Sequence, residues 1–392
     1  MKILFYRYGS ICEPDIIAGF EELGHTVTQI TEKINNKDFF MAESARLVSN
    51  FLLDNPHDIV FTINFFPILS DVCNIFKIPY LCWIVDSPVM DLFTKSIQNP
   101  CNRVFLFDRA QYNEIAPLNP GHIFHFPLAA NITQKQQVVR NASASQRQRF
   151  SADISFVGSL YTEKSPFDKL QDPSPYLSGY LNGLIEAQLK IYGYYFIDEV
   201  LEDSIVEDFK KHMPGFYQSP FASFLTDKIT TSQLYIGNKI TAVERIRTMQ
   251  HLSEHFSVDL YTGSDTSLIP KVHNRGFAKT LSEMPIIFHE SKINLNTTSK
   301  AIRSGIPLRV FDIMACEGFV LSNYQPELFE FFEAGVDFDY YGSMEELIAK
   351  ADYYLHHEKE RKEIAHNGYE KVAQYYNYPL RLAQLLSTAL SV

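Results

Sequence analysis

Short runs of apolar residues alternate along the chain with longer stretches in which apolar residues recur at helical spacing. In the amino-terminal third, the runs that predict strands are KILFY, TVTQI, DIVFTIN, IPYLCWIVD, NRVFLFD and GHIFHFP. The segments Pro14–Leu23, Phe40–Leu53 and Arg109–Ile115 lie between them and have the pattern of helices. Strands that alternate with helices in this way predict a parallel sheet with helices on both faces.

Several of these predicted strands are followed by residues that could serve a ligand, because ligands of such sheets bind outside the carboxyl ends of the strands. The residues at these ends are Gly9, Asn64, Asp86 and Asp108. We expect Asp86 to act as a catalytic base. Because Asp86 precedes Ser-Pro, its carboxylate could instead cap a helix predicted over Pro88–Ile97, and the two roles are compatible.

A polar stretch between Thr133 and Phe150 contains basic residues but no acid, and we interpret it as a solvated loop that ends a first domain of residues 1–150. A second domain, residues 151–375, opens with the strand ADISFVGS. This strand ends at Gly158 and Ser159, where backbone can approach a ligand closely. Residues 171–235 are predicted to be a helical insertion, and residues 376–392 a final helix.

The densest candidate chemistry lies between Ser291 and Phe332. A short strand there ends in Asn-x-Asn, and a basic loop leads into a helix that starts near Leu308. The candidate ligand-binding residues of this stretch are Asn294, Asn296, Arg303, Gly305, Arg309 and Asp312. A helix N-terminus offers N–H groups and partial positive charge to a phosphate, and arginine adds bidentate contacts. An acid one turn into the helix can accept hydrogen bonds from ribose. Together they predict a nucleotide site.

Each of these residues also has a purely structural interpretation. The arginines could pair with surface acids, and Asp312 could simply favour the positive end of its helix. Asn294 and Asn296 could be ordinary turn formers. Both interpretations stay open at this point.

Composition excludes several classes of protein. A length of 392 residues favours two domains, and a formal charge of −11 without a dense basic run argues against nucleic acid as a partner. The five cysteines form no C-x-x-C pair, which favours reduced thiols. The loop after the first strand has one glycine, so it is not the G-x-G-x-x-G fingerprint of dinucleotide-binding folds. Patterns typical of zinc peptidases, Walker-type nucleotide sites and serine hydrolases are absent.

The chain starts directly with a predicted strand, and no apolar run approaches the ~18 residues that span a membrane. We therefore expect a soluble, cytoplasmic protein without a transmembrane segment. Peripheral contact with a membrane stays open.

The motifs SKINLN, SGIPLRVFDIMACEGFVLSNY and PELFEFF resemble the carboxy-terminal domain of glycosyltransferases related to the spore maturation protein CgeB. IPYLCWIVDSP, VFLFDR and HFPLAAN resemble the amino-terminal domain of that family, and DISFVGSLY the start of its second domain. The resemblance implies an α/β protein of the GT-B fold, in which two Rossmann-like domains face each other across a cleft. Asp312 matches the second acid of a Glu-x7-Glu pair in related enzymes, whereas Ser304 stands where the first acid would be.

This resemblance implies transfer of a sugar from a nucleotide-sugar donor, with a UDP-sugar favoured, to a protein, lipid-linked or polysaccharide acceptor. The donor would contact Gly158, Ser159 and the residues named above between Asn294 and Asp312. The acceptor would lie by Gly9, Asn64 and His125.

With no carboxylate cluster typical of a metal site, we expect no metal and no cofactor. The alternatives are a nucleotide-sugar or carbohydrate-binding protein without turnover, and a sugar epimerase of similar fold. An inverting enzyme would need the base Asp86, whereas a retaining one would not.

Overall fold

The computed structural model describes residues 1–35 and 41–391, which form two compact units. The first unit comprises Met1–Ala129, Gln218–Leu225 and Tyr375–Val392, and the second comprises Ala130–Tyr217 and Thr226–Gln374. The chain therefore leaves the first unit near residue 129, earlier than the boundary predicted at residue 150. The short segment Gln218–Leu225 returns to it from the middle of the predicted insertion.

Each unit is built on one parallel sheet. The strands are, in chain order, β1 Lys2–Tyr6, β2 Thr26–Ile30, β3 Ile59–Ile63, β4 Tyr80–Ile84, β5 Asn102–Leu106, β6 Ile123–His125, β7 Ala152–Val157, β8 Val258–Tyr261, β9 His273–Asn274, β10 Ser291–Asn296, β11 Val320–Asn323 and β12 Asp339–Tyr341. The first sheet has the order β2-β1-β3-β4-β5-β6 and the second β12-β11-β10-β7-β8-β9. The strand order reverses between β1 and β3 in the first sheet and between β7 and β10 in the second. Ligands of open α/β sheets bind at such reversal points.

Helices cover these sheets. They are α1 Glu13–Glu22, α2 Glu32–Asn35, α3 Met41–Asp54, α4 Pro67–Phe76, α5 Arg109–Ile115, α6 Ile132–Asn141, α7 Ala144–Phe150, α8 Pro175–Gln188, α9 Ile197–Val200, α10 Asp203–His212, α11 Asp227–Ile229, α12 Gly237–His255, α13 Met284–Glu290, α14 Leu308–Ala315, α15 Leu328–Phe331, α16 Met344–His356, α17 Glu358–Tyr375 and α18 Tyr378–Leu390. Phe40, where the sequence predicts that the helix Phe40–Leu53 begins, lies outside the described residues. No helix within residues 1–35 and 41–391 is long and apolar enough to cross a membrane.

The final helix, α18, packs within the first unit against α1. A Cβ atom added to Gly19 would lie 2.7 Å from Cδ1 of Leu382, so glycine permits the close approach of the two helices. Tyr378 at the start of α18 makes an edge-to-face contact with Trp83 of β4, with ring centroids 6.0 Å apart. These contacts anchor the end of the chain on the first sheet.

The helix predicted over Pro88–Ile97 does not form. Two short 3-10 turns, Met90–Phe93 and Lys95–Gln98, replace it, because Thr94 between them is extended with φ −75° and ψ 155°. Thr94 forms an antiparallel bridge with Ser223 in the segment Gln218–Leu225. A long-range strand contact thus competes successfully with the local helical pattern, and Asp86 has no α-helix to cap.

The polar stretch predicted to be a loop between Thr133 and Phe150 is also helical, as α6 and α7. Asn131 caps α6 by accepting a hydrogen bond from Gln134 N at 3.0 Å, and Ser143 forms a capping box with Gln146 at the start of α7. Both helices pack against α13 in the second unit. The prediction was wrong because each helix buries only a narrow face, which leaves the composition polar.

The predicted insertion is helical from α8 to α11 and has an apolar core of its own. Phe209, Tyr195 and Tyr235 are buried in that core. A π-helical segment, Thr230–Ile236, then runs directly into α12. The insertion therefore has a packed interior, and the chain continues from it into α12, the last helix before β8.

Candidate functional site

Asn64 organises the crevice at the reversal point of the first sheet. It directly follows β3 in the left-handed conformation, with φ 59°. Its Nδ2 atom donates to Tyr8 Oη at 2.9 Å and to Asp86 Oδ2 at 2.7 Å, while its Oδ1 accepts from Val85 N at 3.0 Å. One amide therefore joins the segments that follow β1, β3 and β4.

A buried carboxylate shapes the loop after β1. Glu13 is fully buried and accepts hydrogen bonds from Tyr8 N at 2.9 Å, Gly9 N at 3.1 Å and Arg7 Nε at 3.1 Å. Gly9 has φ +98°, a conformation that favours glycine. Burial, followed by the charge of Asp86, raises the pKa of Tyr8, so its hydroxyl stays protonated. Burial likewise raises the pKa of the Cys12 thiol to about 12.

The other residues predicted for this edge have separate places. Asp86 is exposed, so a ligand can reach its carboxylate. Asp108 is buried and caps α5 by accepting from Ala110 N at 3.0 Å. His125 lies two strands away from β4, with its ring 6.1 Å from that of Tyr112. The structure thus brings Gly9, Asn64 and Asp86 to one crevice and leaves His125 to the side.

The reversal point of the second sheet is bordered by α14, whose Asp312 carboxylate is buried between two cations. Lys135 Nζ of α6 lies 2.9 Å from Asp312 Oδ1, and Arg309 Nη1 lies 3.5 Å from Oδ2. The Lys135 and Asp312 side chains are each less than one tenth exposed. Sequence reasoning missed Lys135 because it assigned this residue to a solvated loop.

Arg309 is the second residue of α14. Its guanidinium lies 5.2 Å from the centre of the Phe288 ring, and Nη1 is 3.4 Å from the sulfur of Met284. Burial lowers the pKa of Arg309 and the charge of Asp312 opposes that effect. An arginine in this setting remains protonated. It is therefore a largely desolvated positive charge at the start of a helix.

Arg303, the second arginine predicted to bind an anion, forms an ion pair with the helical insertion. Its Nη1 atom lies 3.1 Å from Asp198 Oδ2 of α9. Ser304 beside it donates to Glu327 Oε1 at 2.7 Å. Side chains from other parts of the second unit, Asp198 and Glu327, thus fix the loop between β10 and α14. Gly305 in this loop is buried.

Asn294 and Asn296 face the interior. Asn294 accepts from Ser155 Oγ at 3.2 Å and donates to Phe288 O at 2.8 Å, so its amide connects β10 to β7 and to α13. Asn296 donates to Thr298 Oγ1 at 3.0 Å and to Ser322 Oγ at 2.9 Å. Both asparagines are almost completely buried. Their side chains shape the crevice without reaching into it.

A cavity of about 210 Å³ lies in the second unit. Its lining consists of aromatic and charged side chains, namely Arg149, Phe150, Tyr261, Arg275, Phe277 and Glu283. Glu283 immediately precedes Met284, the residue in contact with Arg309. Burial raises the pKa of Tyr261 to about 12, and its hydroxyl has no hydrogen-bond partner among the described residues. A flat polar ligand could satisfy that hydroxyl.

No group of three or more His, Cys, Asp or Glu side chains in the described part of the chain is arranged to hold a metal ion.

Residues 242–387, which include most of α12 and all of α14 with Arg309 and Asp312, match the family described as "Glycosyl transferase-like". No curated protein matches the chain by sequence similarity. Solved structures of similar fold cover the whole chain.

One similar structure is Anabaena Alr3699/HepE in complex with UDP and glucose, with 12% identity, a TM-score of 0.57 and coverage of 100% of both chains. The glycosyltransferase of Rickettsia africae has 14% identity and a TM-score of 0.58, with 100% of this chain and 98% of that chain covered. The sucrose-phosphate synthase of Thermosynechococcus elongatus has 9% identity and a TM-score of 0.57, with 100% and 99% covered. The chain has the GT-B fold. This result confirms the predicted fold class. Because the sequence identities are this low, the similarity between this chain and the three structures shows a shared fold and nothing more.

Proposed function

We propose that this GT-B protein is a glycosyltransferase of the CgeB-related branch that moves a hexose from a nucleoside-diphosphate sugar to an acceptor hydroxyl without a metal ion. The observation that carries the proposal is the placement of Arg309 and Asp312 at the start of α14, inside the part of the chain that matches a glycosyltransferase family. A protein, a lipid-linked glycan or a polysaccharide could supply the acceptor hydroxyl.

In this proposal the diphosphate occupies the crevice between Gly158–Ser159 and the start of α14. Arg309 contacts a phosphate oxygen, and the Asp312 carboxylate accepts a hydrogen bond from the ribose while Lys135 holds it in place. The cavity beside Glu283 receives the base, which stacks on aromatic rings as flat polar ligands do. UDP is our first choice of nucleotide.

The first unit would supply the acceptor side. Asp86 takes the proton from the acceptor hydroxyl, whose oxygen then forms the new bond to the anomeric carbon. The bond from that carbon to the diphosphate breaks, and its electron pair leaves on the nucleotide. Arg309 and the dipole of α14 stabilise this developing charge. Asn64 orients the Asp86 carboxylate through its 2.7 Å hydrogen bond.

The cysteines support a cytoplasmic setting for this reaction. All five are free, and four of them are buried. Free thiols are typical of proteins that work in a reducing compartment.

A thermal-shift panel with UDP, GDP, CMP and TDP tests the proposal. One nucleotide should stabilise the chain clearly, because a ligand at ~100 times its dissociation constant adds roughly 2.7 kcal/mol to stability. Release of that nucleotide from its sugar conjugate would then distinguish a transferase from a protein that only binds. Absence of stabilisation by any nucleotide would contradict the proposed donor site.

A further inference from the structure

Arg245 on α12 joins both walls of the crevice at the reversal point of the second sheet. Its Nη1 atom donates to Ser159 O at 2.6 Å, and its Nη2 atom donates to Thr297 O at 2.7 Å. Ser159 lies just beyond the end of β7, and Thr297 follows the last residue of β10. β7 and β10 are neighbours in the sheet, so a single guanidinium connects the two segments between which the strand order reverses.

The surroundings of Arg245 are apolar and enclosed. Its guanidinium lies 4.7 Å from the ring centre of Tyr161 and 5.3 Å from that of Phe156, and the residue is 9% exposed. Its Nε atom has no hydrogen-bond partner among the described residues. The carboxylate of Glu244, the preceding residue, is directed to Lys300 Nζ at 3.0 Å. The two hydrogen bonds to carbonyls are therefore the polar contacts that hold this side chain.

The same face of α12 makes further contacts with the loop after β10. Thr241 Oγ1, one turn before Arg245, accepts from Lys300 N at 3.0 Å and lies 3.2 Å from Ser299 Oγ. This helix thus acts as a platform for the loop that leads to α14. Burial lowers the pKa of Arg245, and the charge of Arg309 at the start of α14 adds a smaller effect in the same direction.

We infer that Arg245 is a positioning residue for the donor diphosphate, an inference that rests on the proposed function of this crevice. Without the guanidinium, the carbonyl oxygens of Ser159 and Thr297 would lack their partner and could turn toward the anion, which they would repel. Arg245 binds both oxygens, fixes the spacing of the two segments and adds a positive charge behind them.

The test compares Arg245→Gln and Arg245→Lys with the control Arg247→Gln. Arg247 lies on the same helix, but it forms an exposed ion pair with Glu186 at 2.6 Å. Hydrogen exchange without ligand should be faster in Arg245→Gln at residues 158–161 and 297–300, and unchanged there in the control. The affinity for UDP should fall at least ten-fold, while the affinity for uridine, which lacks the diphosphate, should change less than two-fold.

Arg245→Lys keeps the charge but cannot bridge both carbonyls, so it should restore part of the UDP affinity. If Arg245→Gln does not fold, the same measurements are made on Arg245→Lys. Unchanged exchange in either segment, or equal losses of affinity for UDP and uridine, would overturn the inference even if the chain binds nucleotides. A wild-type chain that binds no nucleoside diphosphate would overturn the proposed function itself, and this inference with it.

Discussion

The Nζ atom of Lys135 lies 2.9 Å from Oδ1 of Asp312, and both side chains are buried. This ion pair connects α6, a helix of polar composition, to the helix that carries the proposed ribose contact. Asp312 is therefore more than an acid in the first turns of a helix, because a second element fixes its position.

Replacement of Lys135 with methionine should lower the free energy of unfolding by ~1 to 3 kcal/mol, because the buried Asp312 carboxylate loses the nearer of its two cations and keeps only Arg309. Urea denaturation measures this loss. The control Lys210→Met removes an exposed ion pair with Asp227, so it should cost less than ~1 kcal/mol. The double variant Lys135→Met/Asp312→Leu should recover part of the loss, since it also removes the buried carboxylate that has lost Lys135, while Arg309 loses only its longer contact with Asp312. A cost for Lys135→Met no larger than that of the control would mean that the ion pair contributes little.

Arg309→Ala and Asp312→Ala should each weaken binding of the nucleotide by roughly ten- to a hundred-fold, because hydrogen bonds to charged groups are worth ~1.5 to 3 kcal/mol. Calorimetric titration with UDP measures the affinity. Lys292→Ala is the control, since Lys292 pairs with Asp153 near the amino ends of β10 and β7. Unchanged affinity in both folded variants would remove α14 from the site.

Asp86→Asn should reduce turnover by ~10² to 10⁴, as expected for the loss of a general base, and leave the affinity for UDP intact. Asparagine can still accept the hydrogen bond from Asn64, so the crevice should keep its shape. Asp58→Asn serves as the control, since Asp58 accepts a hydrogen bond from Lys2 N near the amino end of β3. Turnover close to wild type with a normal melting temperature would favour a retaining mechanism or another base.

Activity should survive an excess of EDTA, because arginines and a helix terminus stabilise the departing diphosphate in the proposed mechanism. Initial rates of UDP release with EDTA, and after addition of Mg²⁺ or Mn²⁺, measure this. Full loss of activity that a divalent ion restores would show that an acid interpreted as structural is a metal ligand.

Burial raises the pKa of Asp91 to about 6. We therefore expect this carboxyl to make the free energy of unfolding depend on pH. An acid whose pKa is higher in the folded state favours folding while it is protonated, and this contribution is lost as pH rises from about 4 through about 6. Asp91→Asn should therefore match the wild-type stability near pH 4 and exceed it at pH 8. A ten-fold change in an ionisation constant corresponds to ~1.4 kcal/mol. Because Asp91 is partly exposed, we expect the free energy of unfolding of Asp91→Asn to exceed that of the wild type by only ~1 to 2 kcal/mol at pH 8. Urea midpoints at the two pH values measure it, and equal differences at both would contradict this role of Asp91.

Local pattern determined most of the framework. The apolar run KILFY identified β1 and the helical pattern of Arg109–Ile115 identified α5, both with the bounds that the structure shows, whereas β7 ends at Val157, two residues before the end of the predicted run ADISFVGS. Since the carboxyl ends of parallel strands share one edge, the sequence also placed Asn64 and Asp86 on the same side of the first sheet. These features depend on residues near one another in the chain, and for that reason a sequence pattern can reveal them.

Tertiary contacts decided the rest. Thr94 pairs with Ser223 and prevents a helix that the local pattern favours. Lys135 meets Asp312 across 177 residues of chain, and Arg245 of α12 joins Ser159 to Thr297, although all three lie far apart in the sequence. The free energy of these contacts comes from pairing charges and carbonyls in an interior with little water. Such partners are distant in sequence and are brought together only when the sheet and its covering helices have formed.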